Sequence, residues 1–270
     1  MVSINNMETI KQLREMTGAG MVDCKKALDE AAGDLEKAVE ILRKKGIAKA
    51  AKRTDRETNE GIVMLNVNNE STEAYMVEVN SETDFVSRNE KFQDFAKNIL
   101  ELIKSSKPAT LDDLLSLPYE GVTVKESLET LSGVIGEKLA IKRFAVVNGA
   151  SVAAYSHLGG RMGVLVSLDQ ADKASIALDV AMQVAAANPK YLVPAEVTTE
   201  EMDKEKEIAR ELLMKEGKPA EMVEKILEGK MAKYYSEVCL TEQEYIKDDK
   251  KKVKDILGGA SITQFVRFSL

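Results

Sequence analysis

The residues best suited to chemistry or to contact with another molecule lie between Ser81 and Glu90, in the run Ser-Glu-Thr-Asp-Phe-Val-Ser-Arg-Asn-Glu. Before it, Tyr75 to Asn80 alternates like a strand. After it, Phe92, Phe95, Ala96, Ile99, Leu100 and Ile103 recur with helical spacing. Thr83 or Asp84 can cap that helix by accepting a bond from a free amide of its first turn. Phe85 then falls in the first turn, where a large apolar ring has little core behind it. Such a ring suits insertion into a partner; it also suits a hydrophobic staple or the edge of the core.

Elsewhere the familiar catalytic arrangements are missing. There is no Gly-x-x-x-x-Gly-Lys-Ser/Thr loop to cradle nucleotide phosphates, and Gly18-Ala-Gly20 lacks both the third glycine and the preceding strand of a dinucleotide fingerprint. His157 is the single histidine, so a His-rich metal site is excluded and any His-based triad would depend on it alone. Cys24 and Cys239, the only cysteines, lie in unrelated segments and suggest neither a disulfide framework nor a zinc site. The carboxylates sit mostly in helical, salt-bridge-like settings. We expect no catalytic residues, no metal, no cofactor and no enzyme activity.

Composition narrows the classes further. In 270 residues, 44% hydrophobic and 31% charged content describe a globular protein, and five prolines without a low-complexity tract argue against long disordered regions. The net charge of −7 disfavours nucleic acid as the primary partner, since phosphate binding needs a basic footprint. One local exception runs from Arg43 to Arg56, with seven basic residues against Asp55 alone. It reads either as a contact for phosphate or an acidic partner, or as a solvated linker helix. The start, Met-Val-Ser-Ile-Asn-Asn, carries no apolar leader, and no apolar run approaches the roughly 18 residues of a membrane span. A cytoplasmic protein with no membrane partner is expected.

These residues must be positioned by an α+β fold. Residues 1–54 read as a small three-helix domain with a basic exit. Ile10, Leu13 and Met16 line one helix, Thr17 to Gly20 turns the chain, and Val22, Ala27, Leu28 and Ala31 line the next. Gly33 stops the second helix, Asp34 caps the third and Gly46 follows it. Residues 55–147 form a first subdomain: strands at Gly61 to Val67 and Tyr75 to Asn80, the Phe92 to Ile103 helix, a second helix near Ser127 to Lys138, and a strand at Ile141 to Val147. Residues 148–270 repeat the plan, with strands at Val152 to Tyr155 and Met162 to Leu168 around Gly159-Gly160, then an Ala-rich helix from about Asp172 to Ala187. The two are related α/β subdomains with antiparallel sheets, although no residue-level repeat is evident.

An insertion at about 195–233 breaks the second plan. Thr198-Thr-Glu-Glu201 reads as a capping box. Met202, Ile208, Ala209, Leu212 and Leu213 stripe one helix, Gly217-Lys-Pro219 turns the chain, and Met222, Val223, Ile226, Leu227 and Met231 stripe the return. This is a helical hairpin with a narrow seam, an antiparallel coiled coil. Val238-Cys-Leu240, a charged loop at Lys247 to Lys252 and the strand Phe265 to Phe268 complete the subdomain.

The N-terminal block from Leu13 to Leu42 resembles the small ubiquitin-associated-like domain of bacterial translation elongation factor Ts, and Thr83-Asp84-Phe85-Val86 matches that family's Thr-Asp-Phe-Val motif in the expected place. The resemblance continues through Tyr155-Ser-His157, Arg161 to Val166 and Gly217-Lys-Pro219 to Gln264 to Phe268, covering essentially the whole chain. It implies a guanine nucleotide exchange factor for elongation factor Tu, which holds GDP through a phosphate loop and Mg²⁺. On that likeness Asp84 and Phe85 intrude near the partner's Mg²⁺ site, and Thr83 and Val86 hold the wedge. Leu13, Arg14, Met21 and Val22 grip its nucleotide-binding domain, and His157 reaches a second domain. The family's hairpin supports self-association or partner-bound assemblies, and either stays open here. Some members carry a further helical module after the final strand; its contact is not expected from a sequence ending at Ser269-Leu270. The competing readings are an RNA-binding translation accessory protein, resting on the basic run, and an adaptor that binds ubiquitin-like partners through residues 1–54.

Overall fold

A computed structural model describes residues 7–216 and 219–270. The initial segment read above as lacking a leader, and Gly217 and Lys218 of the expected turn, lie outside the described residues. The described residues form two compact units: residues 7–64 with 77–144 and 270, and residues 65–76 with 145–216 and 219–269. In chain order the helices and strands that open the protein are α1 (Met7–Thr17), α2 (Met21–Glu30), α3 (Leu35–Ala51), β1 (Glu60–Val67), β2 (Glu73–Ser81), the single turn α4 (Asp84–Ser87), α5 (Glu90–Ser106), α6 (Leu111–Ser116), β3 (Pro118–Tyr119), β4 (Val122–Thr123), α7 (Val124–Ile135) and β5 (Ala140–Asn148). They are followed by β6 (Ser151–His157), β7 (Met162–Leu168), α8 (Ala174–Ala187), α9 (Thr199–Lys215), α10 (Ala220–Val238), β8 (Glu244–Tyr245), β9 (Asp248–Lys252) and β10 (Ile262–Ser269).

In the first unit, α1 to α3 close around Ile10, Leu13, Cys24, Ala27, Leu28 and Ala38. The Gly33 amide donates to Leu28 O (2.8 Å) to end α2, and the Asp34 carboxylate accepts from Lys37 N (3.1 Å) to start α3. Met16 and Val22, expected in this core, are exposed. The inward stripe of α2 runs Cys24, Ala27, Leu28, Ala31, which turns Val22 to the opposite side. On α1 the stripe ends at Leu13, whose carbonyl takes the Thr17 hydroxyl at 2.7 Å, and Ala19 fills the next core place.

Gly46 does not end the third helix as the sequence suggested. It lies buried inside α3, where α7 crosses: a Cβ added at Gly133 would stand 2.4 Å from Gly46 Cα. The glycines are there to let two backbones meet. The long α5 packs Phe92, Phe95, Ala96, Ile99, Leu100 and Ile103 inward, as its spacing indicates. The sheet order is β1-β2-β5, so the third strand joins the second strand of the hairpin. A carboxylate, Glu78, is wholly buried on β2 and is held by Arg143 Nε (2.7 Å) and Lys142 Nζ (3.1 Å).

The second unit follows the same plan. Its sheet order is β10-β7-β6, with both pairings antiparallel. Against it lies α8, whose buried residues Ala177, Val180, Ala181, Val184 and Ala185 pack with Val164, Val166 and Leu168. The helical hairpin is present, but its interior is narrower than the stripes suggested. Ala209, Leu213, Val223 and Leu227 are buried, whereas Ile208, Leu212 and Met222 are about half exposed, because two helices alone can cover only one face of each other.

Only half of the expected capping box forms at Thr198. Its hydroxyl accepts from Glu201 N (3.2 Å), but the Glu201 carboxylate turns away to Lys190 Nζ (2.8 Å) and to the hydroxyls of Tyr191 and Tyr234. The charged run near the C-terminus is not a loop. Residues 248–252 form β9, paired with β8, and Lys252 and Lys254 close on Glu242. No described helix is long and apolar enough to cross a membrane.

Candidate partner-binding site

The Thr-Asp-Phe-Val segment is built differently from its sequence reading. It does not open α5. Asn89 does, accepting from Lys91 N (3.0 Å) and Phe92 N (3.4 Å). Asp84 to Ser87 instead forms a separate turn, α4, closed by Asn89 N to Val86 O (2.9 Å). Thr83 stands at the N-cap position of this turn but makes no side-chain cap. Its hydroxyl and its amide both donate to the Glu137 carboxylate, at 2.6 and 3.0 Å.

The consequence for the ring is plain. Phe85 is 80% exposed, while Val86 beside it is buried to 9% and fixes the turn to the body. Phe85 is therefore neither a staple nor an edge of the core. Asp84 is held on the other side by Arg88 Nη2 at 2.9 Å. Next to the ring opens a groove of about 910 Å³ lined by Lys11, Arg14, Lys91, Phe85, Val134 and Ile135. An apolar projection beside a groove with three basic residues and one acidic, Glu15, can take up a helix or loop of mixed polarity. Among the described residues no group of His, Cys, Asp and Glu could hold a metal ion.

The other sequence-derived residues distribute unevenly. Arg14 reaches the same groove as Phe85. Val22 is 66% exposed and Met21 is half-buried against the three-helix core, so both offer surface. Leu13 offers none: it is fully buried, and its place is to pack α1 on its neighbours. His157 lies in the second unit, exposed at the end of β6, where its ring stacks on Tyr155 at 5.8 Å and Nδ1 meets the Tyr155 hydroxyl at 3.0 Å. Cys24 and Cys239 are both buried; burial raises the Cys24 thiol pKa and pushes that of Cys239 up to about 11.

The basic run turns out to be engaged. Arg43 pairs with Glu126 (3.0 Å), Lys44 with Glu40 (2.7 Å), Lys45 with Glu30 (2.5 Å) and Lys49 with Asp23 (3.0 Å). Arg53 donates to Ser132 O (3.2 Å) and Arg56 to Glu82 (3.0 Å). Six of the run's seven basic residues thus have a carboxylate or carbonyl partner. What sequence reasoning missed is the acidic support of the motif. Glu82 accepts from Lys138 N (2.5 Å) and Arg56; burial alone would raise its pKa, but these donors outweigh it and hold the carboxyl below its usual range. Glu137 sits 54 positions from Thr83 in the sequence, and no local pattern marks it.

A family model described as elongation factor TS matches residues 82–270. The chain is 46% identical over 264 residues to elongation factor Ts of Deinococcus deserti, covering 98% of this chain and 99% of that protein. It is 45% identical over 283 residues to elongation factor Ts of Nitratiruptor sp., covering 97% of this chain and 91% of that one.

Proposed function

The chain belongs to the elongation factor Ts family, and from that premise we propose that it releases GDP from elongation factor Tu so that GTP can bind. The observation that carries this reading is Phe85, a large ring 80% exposed on a turn anchored to the body of its unit. Exposing such a ring has a cost in water that a partner's pocket can remove, at about 1.5–3 kcal/mol for full burial.

In this reading Asp84 and Phe85 enter near the partner's Mg²⁺ site, and Thr83 and Val86 keep the turn in place. Arg14, Met21 and Val22 hold the nucleotide-binding domain, with Leu13 supporting them from beneath. His157 contacts a second domain. No catalytic group is needed. The factor has only to bind nucleotide-free partner more tightly than nucleotide-bound partner; by linkage it weakens nucleotide binding in the same ratio. A weakening of several thousandfold, at about 1.4 kcal/mol per tenfold, exceeds what one ring supplies, so the flanking holds contribute the remainder. The helical hairpin is available for self-association or for assemblies with the partner.

The test follows release of a fluorescent GDP analogue from elongation factor Tu, with this protein, without it and with Phe85→Ala. Acceleration by the wild type that drops with Phe85→Ala supports both function and wedge. Acceleration untouched by the substitution moves the mechanism to the flanking holds, and no acceleration rejects the exchange reading.

A further inference from the structure

A four-residue helix cannot hold its own shape in water, since the first hydrogen-bonded turn costs more conformational entropy than it returns. Yet α4 must present Phe85 in one orientation if the exchange reading above is right, and the present inference rests on that reading. The connection after α7 provides the constraint. Gly136 adopts a left-handed conformation (φ 94°) and its amide closes α7 on Ser132 O, so the chain turns sharply into Glu137. The Ser132 hydroxyl then donates to Glu137 O at 2.5 Å, fixing the backbone from which the carboxylate projects.

Two carboxylates now cross between the same two segments. Glu137 takes the Thr83 amide and hydroxyl, and Glu82 takes the Lys138 amide. Each segment caps the backbone of the other, as a capping box does within one helix, but with partners far apart in the chain. Lys138 extends the tie by donating through Nζ to Thr54 O (2.6 Å) and Arg56 O (2.8 Å). The Ser81 hydroxyl donates to Thr83 O at 2.9 Å, so both backbone polar groups of Thr83 are held.

We propose that Glu137 is the positioning residue of the wedge: its carboxylate, bonded to the amide and hydroxyl of Thr83, sets the direction in which Phe85 leaves the surface. It touches neither nucleotide nor metal and acts through Thr83 alone. Both oxygens are used, one per donor, which is why a carboxylate is required.

Three readouts test this on the full-length protein. The first is hydrogen exchange at the Thr83 amide in the free protein, which needs no partner; Glu137→Ala removes its protection. The second is release of the fluorescent GDP analogue from elongation factor Tu, slowed about tenfold by Glu137→Ala, the loss expected for a hydrogen bond to a charged acceptor. The third is the double variant with Phe85→Ala: because Glu137 acts through the ring, its removal has no further effect once the ring is gone. A Glu137→Ala effect that persists undiminished in the Phe85→Ala background marks a general structural role and overturns the proposal. So does wild-type Thr83 protection together with a wild-type rate. Should Glu137→Ala fail to fold, Glu137→Gln serves: it keeps one acceptor oxygen, and an intermediate loss of protection and rate is expected, with none overturning the proposal. If the wild-type protein itself does not accelerate release, the exchange reading fails, and Thr83 protection still decides whether the latch exists.

Discussion

The two units share three steps, hairpin, helix and a strand that returns beside the hairpin's second strand; apart from the three helices that open the first and the helical hairpin inserted in the second, the shared steps differ in the link between hairpin and helix. In the second unit that link is short and tied down. The Asp169 carboxylate accepts from Ser261 N (2.7 Å), and Lys173 N donates to the Ser151 hydroxyl (2.9 Å) just before α8 begins. In the first unit the link from Glu82 to Asn89 contains a whole extra turn, and that turn carries the exposed ring. The helices differ to match. α8 is lined with Ala and Val, which suits close approach to its sheet, whereas α5 buries Phe92, Phe95, Ile99 and Ile103. One plan has thus been used once for packing and once to carry a projection. The lesson is that the candidate site lies in a link whose length the sheet and helix do not dictate.

The sharpest way to separate packing from projection is to compare the two phenylalanines that flank Asn89. Phe92→Ala empties a fully buried place in the first core and should cost about 3–5 kcal/mol, measured by denaturant unfolding. Phe85→Ala should leave stability within about 0.5 kcal/mol. Yet it should reduce accelerated GDP release by roughly 10- to 100-fold, the kinetic equivalent of one ring's burial. A destabilised Phe85→Ala protein would collapse the distinction.

A smaller effect comes from the helix crossing. Gly133→Ala places a methyl against the backbone of α3, 2.4 Å from Gly46 Cα, and should cost about 1–3 kcal/mol with loss of protection in α3 and α7 and none in α8. Protection lost equally in α8 would mean that the units do not respond separately. The smallest effect is electrostatic. The bonds from Lys190, Tyr191 and Tyr234 lower the Glu201 pKa from 4.5 to about 2. A depressed carboxylate stabilises the folded protein fully above the unfolded value and loses that contribution as pH falls through the folded one. The base of the helical hairpin should therefore loosen between about pH 4.5 and 2, read by carbon NMR of the Glu201 carboxyl, and Glu201→Gln should remove that transition.

Much of the architecture was legible because it follows from local spacing. The strand signal at Tyr75 to Asn80, the turn at Gly159-Gly160, the stripe of α5 and the glycine stop after α2 each need only a few neighbouring residues, although β2 proves buried on both faces rather than alternating. The failures share another cause. Gly46 looks like a helix end until α7 is known to cross there. Glu201 looks like half of a capping box until Lys190 and two tyrosines claim its carboxylate. The run Asp248 to Lys252 looks like a solvated loop until β8 supplies backbone partners and Glu242 balances the lysines. The candidate site divides along the same line. Its motif could be read from ten consecutive residues, which left the ring's exposure open between projection, staple and core edge, whereas the support from Glu137 depends on a turn more than fifty positions away.

The buried thiols and the lack of tryptophan have a practical consequence. Both native cysteines are shielded and hard to ionise, so thiol-directed dyes should pass them by, and the protein emits no indole fluorescence of its own. Outside the absorption of its seven tyrosines, the molecule carries no signal at the red edge where indole is excited. A Phe85→Trp or Val22→Cys substitution would therefore place a single indole or a single accessible thiol in the chain, and whether a partner reaches the ring or α2 could be timed separately without first stripping out the natural residues.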